Sequence, residues 1–121
     1  MQSSAHILIV EDDTLVAEVV VEALEPAYRT THADTCAGAL ASLRKGGIDA
    51  ILLDCTLPDG VDPALLAEAE AAGVAVVVMS GHPEVAERVA GQKRPVLLKP
   101  FQLDALLATV QRALPGQAAA A

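Results

Sequence analysis

The stretch HILIVEDDTLVAEVVVEALEP, residues 6–26, decides the fold. A short apolar run, His6–Val10, stops at three consecutive carboxylates, Glu11, Asp12 and Asp13. Leu15, Val16, Val19, Val20 and Leu24 then recur at the spacing of one helix face, and Pro26 must end that helix. The unit is a strand followed by a helix, and it recurs along the chain. Further runs lie at Tyr28–His32, Ile48–Leu53, Val74–Met79 and Pro95–Leu98. Leu40 and Leu43 mark a second helix stopped by Gly46-Gly47, and Leu65, Leu66 and Ala69 a third before Gly73. Val85, Ala86 and Val89 mark a short fourth, limited to about Pro83–Ala90, while Leu103, Leu106, Leu107, Val110 and Leu114 mark a fifth that is expected to be core. Apolar runs of this length suit strands buried on both faces, whereas the polar YRTTH suits a sheet edge. Strict alternation implies an α/β fold: a five-stranded, doubly wound parallel sheet in the order 2-1-3-4-5, flanked by five helices. Such sheets bind ligands at the carboxyl ends of their strands.

Composition narrows what the domain can do. At 121 residues there is room for one domain. It is expected over residues 4–115, with 116–121 as a frayed tail. The chain is 53% hydrophobic but has one Tyr, one Phe and no Trp, so its core must be built from Val, Leu, Ile and Ala. Sixteen acidic residues against eight basic ones give a net charge of -8, which repels a nucleic-acid backbone. No basic amphipathic stretch suits a membrane surface. The longest apolar stretch, Ala71–Met79, is too short to span a bilayer. No signal peptide is evident, and two cysteines, Cys36 and Cys55, make neither a disulfide framework nor a metal-ligand set, so a cytoplasmic protein is expected.

The polar residues collect where this fold places its site. The first strand ends in Glu11-Asp12-Asp13, the third in Asp54, the fourth in Ser80-Gly81 and the fifth in Lys99-Pro100. Carboxylates brought together repel one another and call for a cation. Oxygen ligands of this kind suit Mg²⁺, which keeps several of its waters. A carboxylate can also be the nucleophile, forming an acyl phosphate, and phosphoryl transfer needs little beyond positioning and charge neutralisation. Asp54 is the candidate nucleophile, because it stands alone directly after an apolar strand. Asp13 reads as the cap of the first helix. Cys55 reads as a small packed group, and His6 and His32 as strand-end residues rather than ligands.

The segments ILIVEDD, ILLDCTLPDG, VVVMSG and LLKPF resemble, in order, the four signature segments of response-regulator receiver domains, which share a flavodoxin-like fold. The resemblance implies that Asp54 accepts a phosphoryl group from a histidine kinase or histidine phosphotransfer protein. It implies that Asp12 ligates Mg²⁺ (or Mn²⁺) directly, that Glu11 helps through water, and that Asp54 and the Thr56 main-chain carbonyl complete the protein ligands. It assigns Ser80 to a phosphoryl oxygen and the signalling response, Lys99 to the phosphoryl charge, and a cis peptide to Lys99–Pro100. His82 falls where the family tunes dephosphorylation. Three features depart from the pattern. Val96 stands where a rotating Tyr or Phe is usual, Gly60 lies two residues nearer Asp54, and Lys99 follows Ser80 by only nineteen positions. A switch centred on the short fourth helix is therefore expected.

The expected function is that of a stand-alone phosphorelay receiver, not a turnover enzyme, acting through an unidentified downstream protein, with no nucleic-acid or membrane partner; it could equally be excised from a hybrid protein. A haloacid-dehalogenase-like phosphohydrolase shares the Asp, Ser and Lys, but it usually carries a second Asp where Thr56 stands. A degenerate, receiver-like interaction module is the third reading.

Overall fold

The computed structural model describes residues 5–58, 60–91 and 93–114. The expected domain limits at 4 and 115, and the expected tail, lie outside these residues. Elements alternate as β1 (His6–Val10), α1 (Thr14–Leu24), β2 (Arg29–Ala33), α2 (Cys36–Lys45), β3 (Ala50–Asp54), α3 (Pro63–Ala71), β4 (Ala75–Ser80), α4 (Pro83–Ala90), β5 (Val96–Leu98) and α5 (Leu103–Ala113). The sheet is parallel throughout and ordered β2-β1-β3-β4-β5, as the alternation predicts. The limits of β1 are as expected, and those of the other strands differ from the sequence expectation by one or two residues. The polar β2 is an edge strand, as expected. β5 is the other edge, and its Leu98 is 45% exposed rather than buried, because no strand lies beyond it.

Alternation along each strand builds two cores. Leu8, Val10, Ile51, Leu53, Val76 and Val78 face α2, α3 and α4, while Ile7, Ile9, Leu52, Val77 and Met79 face α1 and α5. Each fully buried Leu, Ile or Val contributes about 1.5–3 kcal/mol relative to exposure. Local signals set the helix ends. The Asp13 carboxylate accepts from the Leu15 and Val16 amides, Thr35 caps α2 and Asp62 caps α3. Pro83 opens α4, and Arg94 donates to the carbonyls of Val89 and Ala90 at its far end. At the end of α2 the chain passes Gly46 with φ at 86°, a conformation that favours glycine.

Two expected packing faces are corrected. In α1 the buried residues are Ala17, Val20 and Leu24, while Leu15 is 74% and Val19 53% exposed. A helix carrying four valines and two leucines in eleven residues is apolar on more than one side, so its pattern does not fix its rotation. Small Ala17, which carries little weight in a hydrophobic pattern, faces the sheet. In α5 Leu106 and Val110 are buried, but Leu103 and Leu107 turn toward solvent.

Candidate functional site

Strand register brings the site together. Val10 pairs with Leu53, Asp54 with Met79 and Ser80 with Leu98, so Glu11, Asp54, Ser80 and Lys99 all emerge at one edge of the sheet. The Lys99 amide donates to the Ser80 carbonyl at 2.8 Å, and the Lys99–Pro100 peptide is cis. Oxygens of Glu11, Asp12 and Asp54 lie within 4.8 Å of one another. Glu11 and Asp54 are buried and Asp12 is exposed, so the trio is walled on the protein side and open on the other.

The buried carboxylates are held differently. Glu11 Oε1 accepts from Lys99 Nζ at 2.8 Å, and Oε2 accepts from the Asp13 amide at 3.2 Å. Asp54 Oδ1 accepts from both the amide and the hydroxyl of Thr56, at 3.0 and 2.8 Å, while Oδ2 faces Lys99 Nζ at 3.5 Å. Burial raises the Glu11 carboxyl above its ordinary range, aided by the neighbouring Asp54 and opposed by Lys99. Burial also works against charge on Asp54, but contacts from Glu11 and Thr56 and the charge of Lys99 outweigh it and hold that carboxyl below its usual range. Burial opposes charge on Lys99 too, yet Glu11 and Asp54 keep its ammonium more stable than usual. Asp54 is thus the carboxylate best kept ionised, and Lys99 the cation beside it.

Three oxygen donors, two buried and one open to solvent, fit a divalent ion of the Mg²⁺ or Mn²⁺ kind that retains waters. Glu11, Asp12 and Asp54 would hold it. Thr56 is fixed beside Asp54 by its own amide and hydroxyl, next to the trio. Ser80 is fully buried; its hydroxyl accepts from the His82 amide at 2.9 Å and donates to the His82 carbonyl at 3.2 Å. His82 heads α4 without a side-chain capping bond. Burial, together with Asp54, pushes the Cys55 thiol up to about 11, in keeping with a packed, unreactive group.

Sequence reasoning missed three features. One is the Thr56 hydroxyl on Asp54, which its position two residues on could have suggested. Another is His32, whose Nε2 donates to the Glu11 carbonyl at 2.7 Å, bracing β1 from the neighbouring strand. The third is an apolar groove of about 470 Å³ lined by Leu15, Val16, Val19, Phe101, Leu103 and Lys99, so that it reaches the acidic site. Its signal lay in the surplus of apolar residues in α1.

Comparison with known proteins agrees with this geometry. A family model described as the response regulator receiver domain matches residues 7–111. The swarming motility regulation protein RssB of Serratia marcescens is 32% identical over 112 residues, covering 88% of this chain and 51% of that protein. The nitrogen assimilation regulatory protein NtrX of Azorhizobium caulinodans is 34% identical over 119 residues, covering 91% of this chain and 26% of that protein. The chain therefore spans about half the length of RssB and about a quarter of NtrX. A crystal structure of a CheY-like response regulator receiver domain from Methanospirillum hungatei JF-1 superposes with a TM-score of 0.81 at 26% identity, covering 98% of this chain and all of that one. Among the described residues no helix is long and apolar enough to cross a membrane. With the 2-1-3-4-5 sheet and the acidic trio beside Lys99, the match over residues 7–111 shows that the chain belongs to the response regulator receiver domain family of two-component systems.

Proposed function

We propose that this domain accepts a phosphoryl group on Asp54 from a histidine kinase or histidine phosphotransfer protein and signals by protein contact in the cytoplasm. The observation that carries this reading is the environment of the Asp54 carboxylate. One oxygen is fixed by two Thr56 donors, the other faces Lys99, and the pair with Glu11 keeps Asp54 ionised. An oriented carboxylate beside a lysine is equipped to attack phosphorus and to neutralise the charge that arrives with it. An Asp54 oxygen forms the new P–O bond as the donor's P–N bond breaks; the imidazole nitrogen leaves with the bonding pair and regains a proton from water. Glu11, Asp12, Asp54 and the Thr56 carbonyl are the proposed ligands of a divalent ion, which would lower the charge on the phosphoryl oxygens.

Ser80 is the proposed partner of a phosphoryl oxygen. Its hydroxyl would have to leave the His82 backbone, and that release at the head of α4 is the proposed start of the output signal. The exposed Leu15, Val19 and Leu103 border the site through the Lys99-lined groove, which makes the α1–α5 face the proposed seat of the protein donor. Incubation with Mg²⁺ and acetyl phosphate, read by intact mass and by steady-state phosphate release, tests the reading. One labile phosphate per chain without sustained turnover supports it. Continuous hydrolysis would instead favour a phosphohydrolase, and no adduct would refute phosphoryl acceptance.

A further inference from the structure

We propose that His32 is a positioning residue of the acidic site: by donating to the Glu11 main-chain carbonyl, its ring fixes the peptide that joins Glu11 to Asp12 and so sets how those two carboxylates stand to each other. His32 Nε2 lies 2.7 Å from the Glu11 carbonyl oxygen. A carbonyl can only accept, so the bonded ring nitrogen carries the proton. The Glu11 carbonyl and the Asp12 amide belong to one planar unit, so a restraint on the oxygen also restrains the backbone from which Asp12 projects. That matters at this point of the chain, because the carboxylate oxygens of Glu11, Asp12 and Asp54 must stay within 4.8 Å of one another to serve one ion. Glu11 is buried, whereas Asp12 is exposed and takes its direction from the backbone.

The ring replaces a missing rung of the sheet. The Glu11 amide donates to the Ala33 carbonyl at 3.0 Å. In a parallel ladder the carbonyl of the same residue takes the amide two positions farther along the same neighbour. β2 ends at Ala33, however, and Thr35 is already the N-cap of α2, with its hydroxyl on the Gly38 amide. A buried carbonyl left without a donor is costly, and the His32 side chain supplies one from the last turn of the edge strand. The ring borders Thr14, Ala17 and Val21 at the start of α1, directly after the acidic run, so it is seated between β2 and α1. The inference rests on the metal reading of the site and adds to it a residue that is not itself a ligand.

Isotope-labelled wild type, His32→Gln and His32→Phe separate the alternatives. The side-chain nitrogen of Gln lies as many bonds from the backbone as His Nε2 and keeps the donor, whereas Phe keeps a ring and loses it. In EDTA the Glu11 carbonyl ¹³C and Asp12 amide ¹⁵N shifts should stay near wild type in His32→Gln and move in His32→Phe. Calorimetric Mg²⁺ titration should place His32→Gln within about twofold of wild type and weaken His32→Phe by at least about threefold, less than the about 10–100-fold lost when a partner of the ligand group itself is removed. A bond that served the fold alone would lower the melting temperature in EDTA and leave Mg²⁺ affinity unchanged. His32→Phe with wild-type affinity, or His32→Gln as weak as His32→Phe, would therefore overturn the proposal while leaving the metal reading intact. A wild type that binds no Mg²⁺ would overturn both. Should His32→Phe fold poorly, His32→Ala removes the same donor and is judged by the same outcomes.

Discussion

Asp12→Ala separates metal binding from folding, because Asp12 is the exposed member of the trio and contributes nothing to either core. In EDTA the substitution removes a like charge whose ligand oxygen lies within 4.8 Å of those of Glu11 and Asp54. At that separation a pair of unit charges screened as in water repels by about 0.9 kcal/mol. Two such pairs are relieved, about 1.7 kcal/mol together, and Lys99 offsets part of this, so the variant should be equal to the wild type or more stable by up to that amount. With Mg²⁺ the order reverses. At a hundred times its dissociation constant a bound ion adds about 2.7 kcal/mol, about 10 °C in melting temperature for a domain of this size. Losing one of three carboxylates and with it about tenfold in affinity leaves about 1.4 kcal/mol at the same Mg²⁺ concentration, halving the shift. Differential scanning calorimetry of both proteins, in EDTA and across a Mg²⁺ series, reads all four states. A wild-type transition indifferent to Mg²⁺, or an Asp12→Ala protein showing the full wild-type shift, would refute the reasoning.

Leu15→Ser and Val19→Ser alter exposed side chains, so stability should change by no more than about 0.5 kcal/mol. Phosphotransfer from the cognate histidine kinase should slow at least about tenfold in the double variant while labelling by acetyl phosphate is unchanged; equal slowing with both donors would count against a docking role. Mg²⁺ affinity should fall as pH drops from 8 to 4.5. Burial raises the Glu11 carboxyl above the ordinary 4.5, so below that raised value a proton occupies the oxygen the metal needs, and above it the carboxylate is free; a flat affinity across this range would be the contrary result. With its thiol pushed up to about 11, Cys55 is about one part in a thousand thiolate at pH 8 and should resist iodoacetamide until the protein unfolds. Rapid alkylation of Cys55 in the native protein would show that it is not packed as described.

The sheet and the site were legible in the sequence for one reason: in a parallel α/β domain both depend on where an apolar run stops. Val10 giving way to Glu11, Leu53 to Asp54, Met79 to Ser80 and Leu98 to Lys99 located the strand ends, and register then aligned them. Asp13 announced its capping role by standing before Leu15 and Val16. The rotation of α1 was not legible, because Val16, Val19, Val20 and Val21 spread apolar side chains over more than one face beside the single polar stripe of Glu18 and Glu22, and the outcome turned on the fit of Val20 and Leu24 against β-strand residues distant in sequence. α5 misled for a similar reason, since Leu103 and Leu107 lie in helical register with buried Leu106 and Val110 but on an exposed flank, where Leu103 borders the groove. The seat of Lys99 was hidden as well. Its charge and strand end were evident, but Glu11 and Asp54 are equally buried, and the closer approach to Glu11 goes with Thr56 already satisfying one Asp54 oxygen.

The central claim is that Asp54 is the phosphoacceptor, and intact mass spectrometry of wild type and Asp54→Asn after incubation with acetyl phosphate and Mg²⁺ tests it most directly. The wild type should gain a single phosphoryl mass that hydroxylamine removes, as expected of an acyl phosphate, and the variant should gain none while keeping a native circular dichroism spectrum. A folded Asp54→Asn protein that acquires the same labile phosphate would contradict the account.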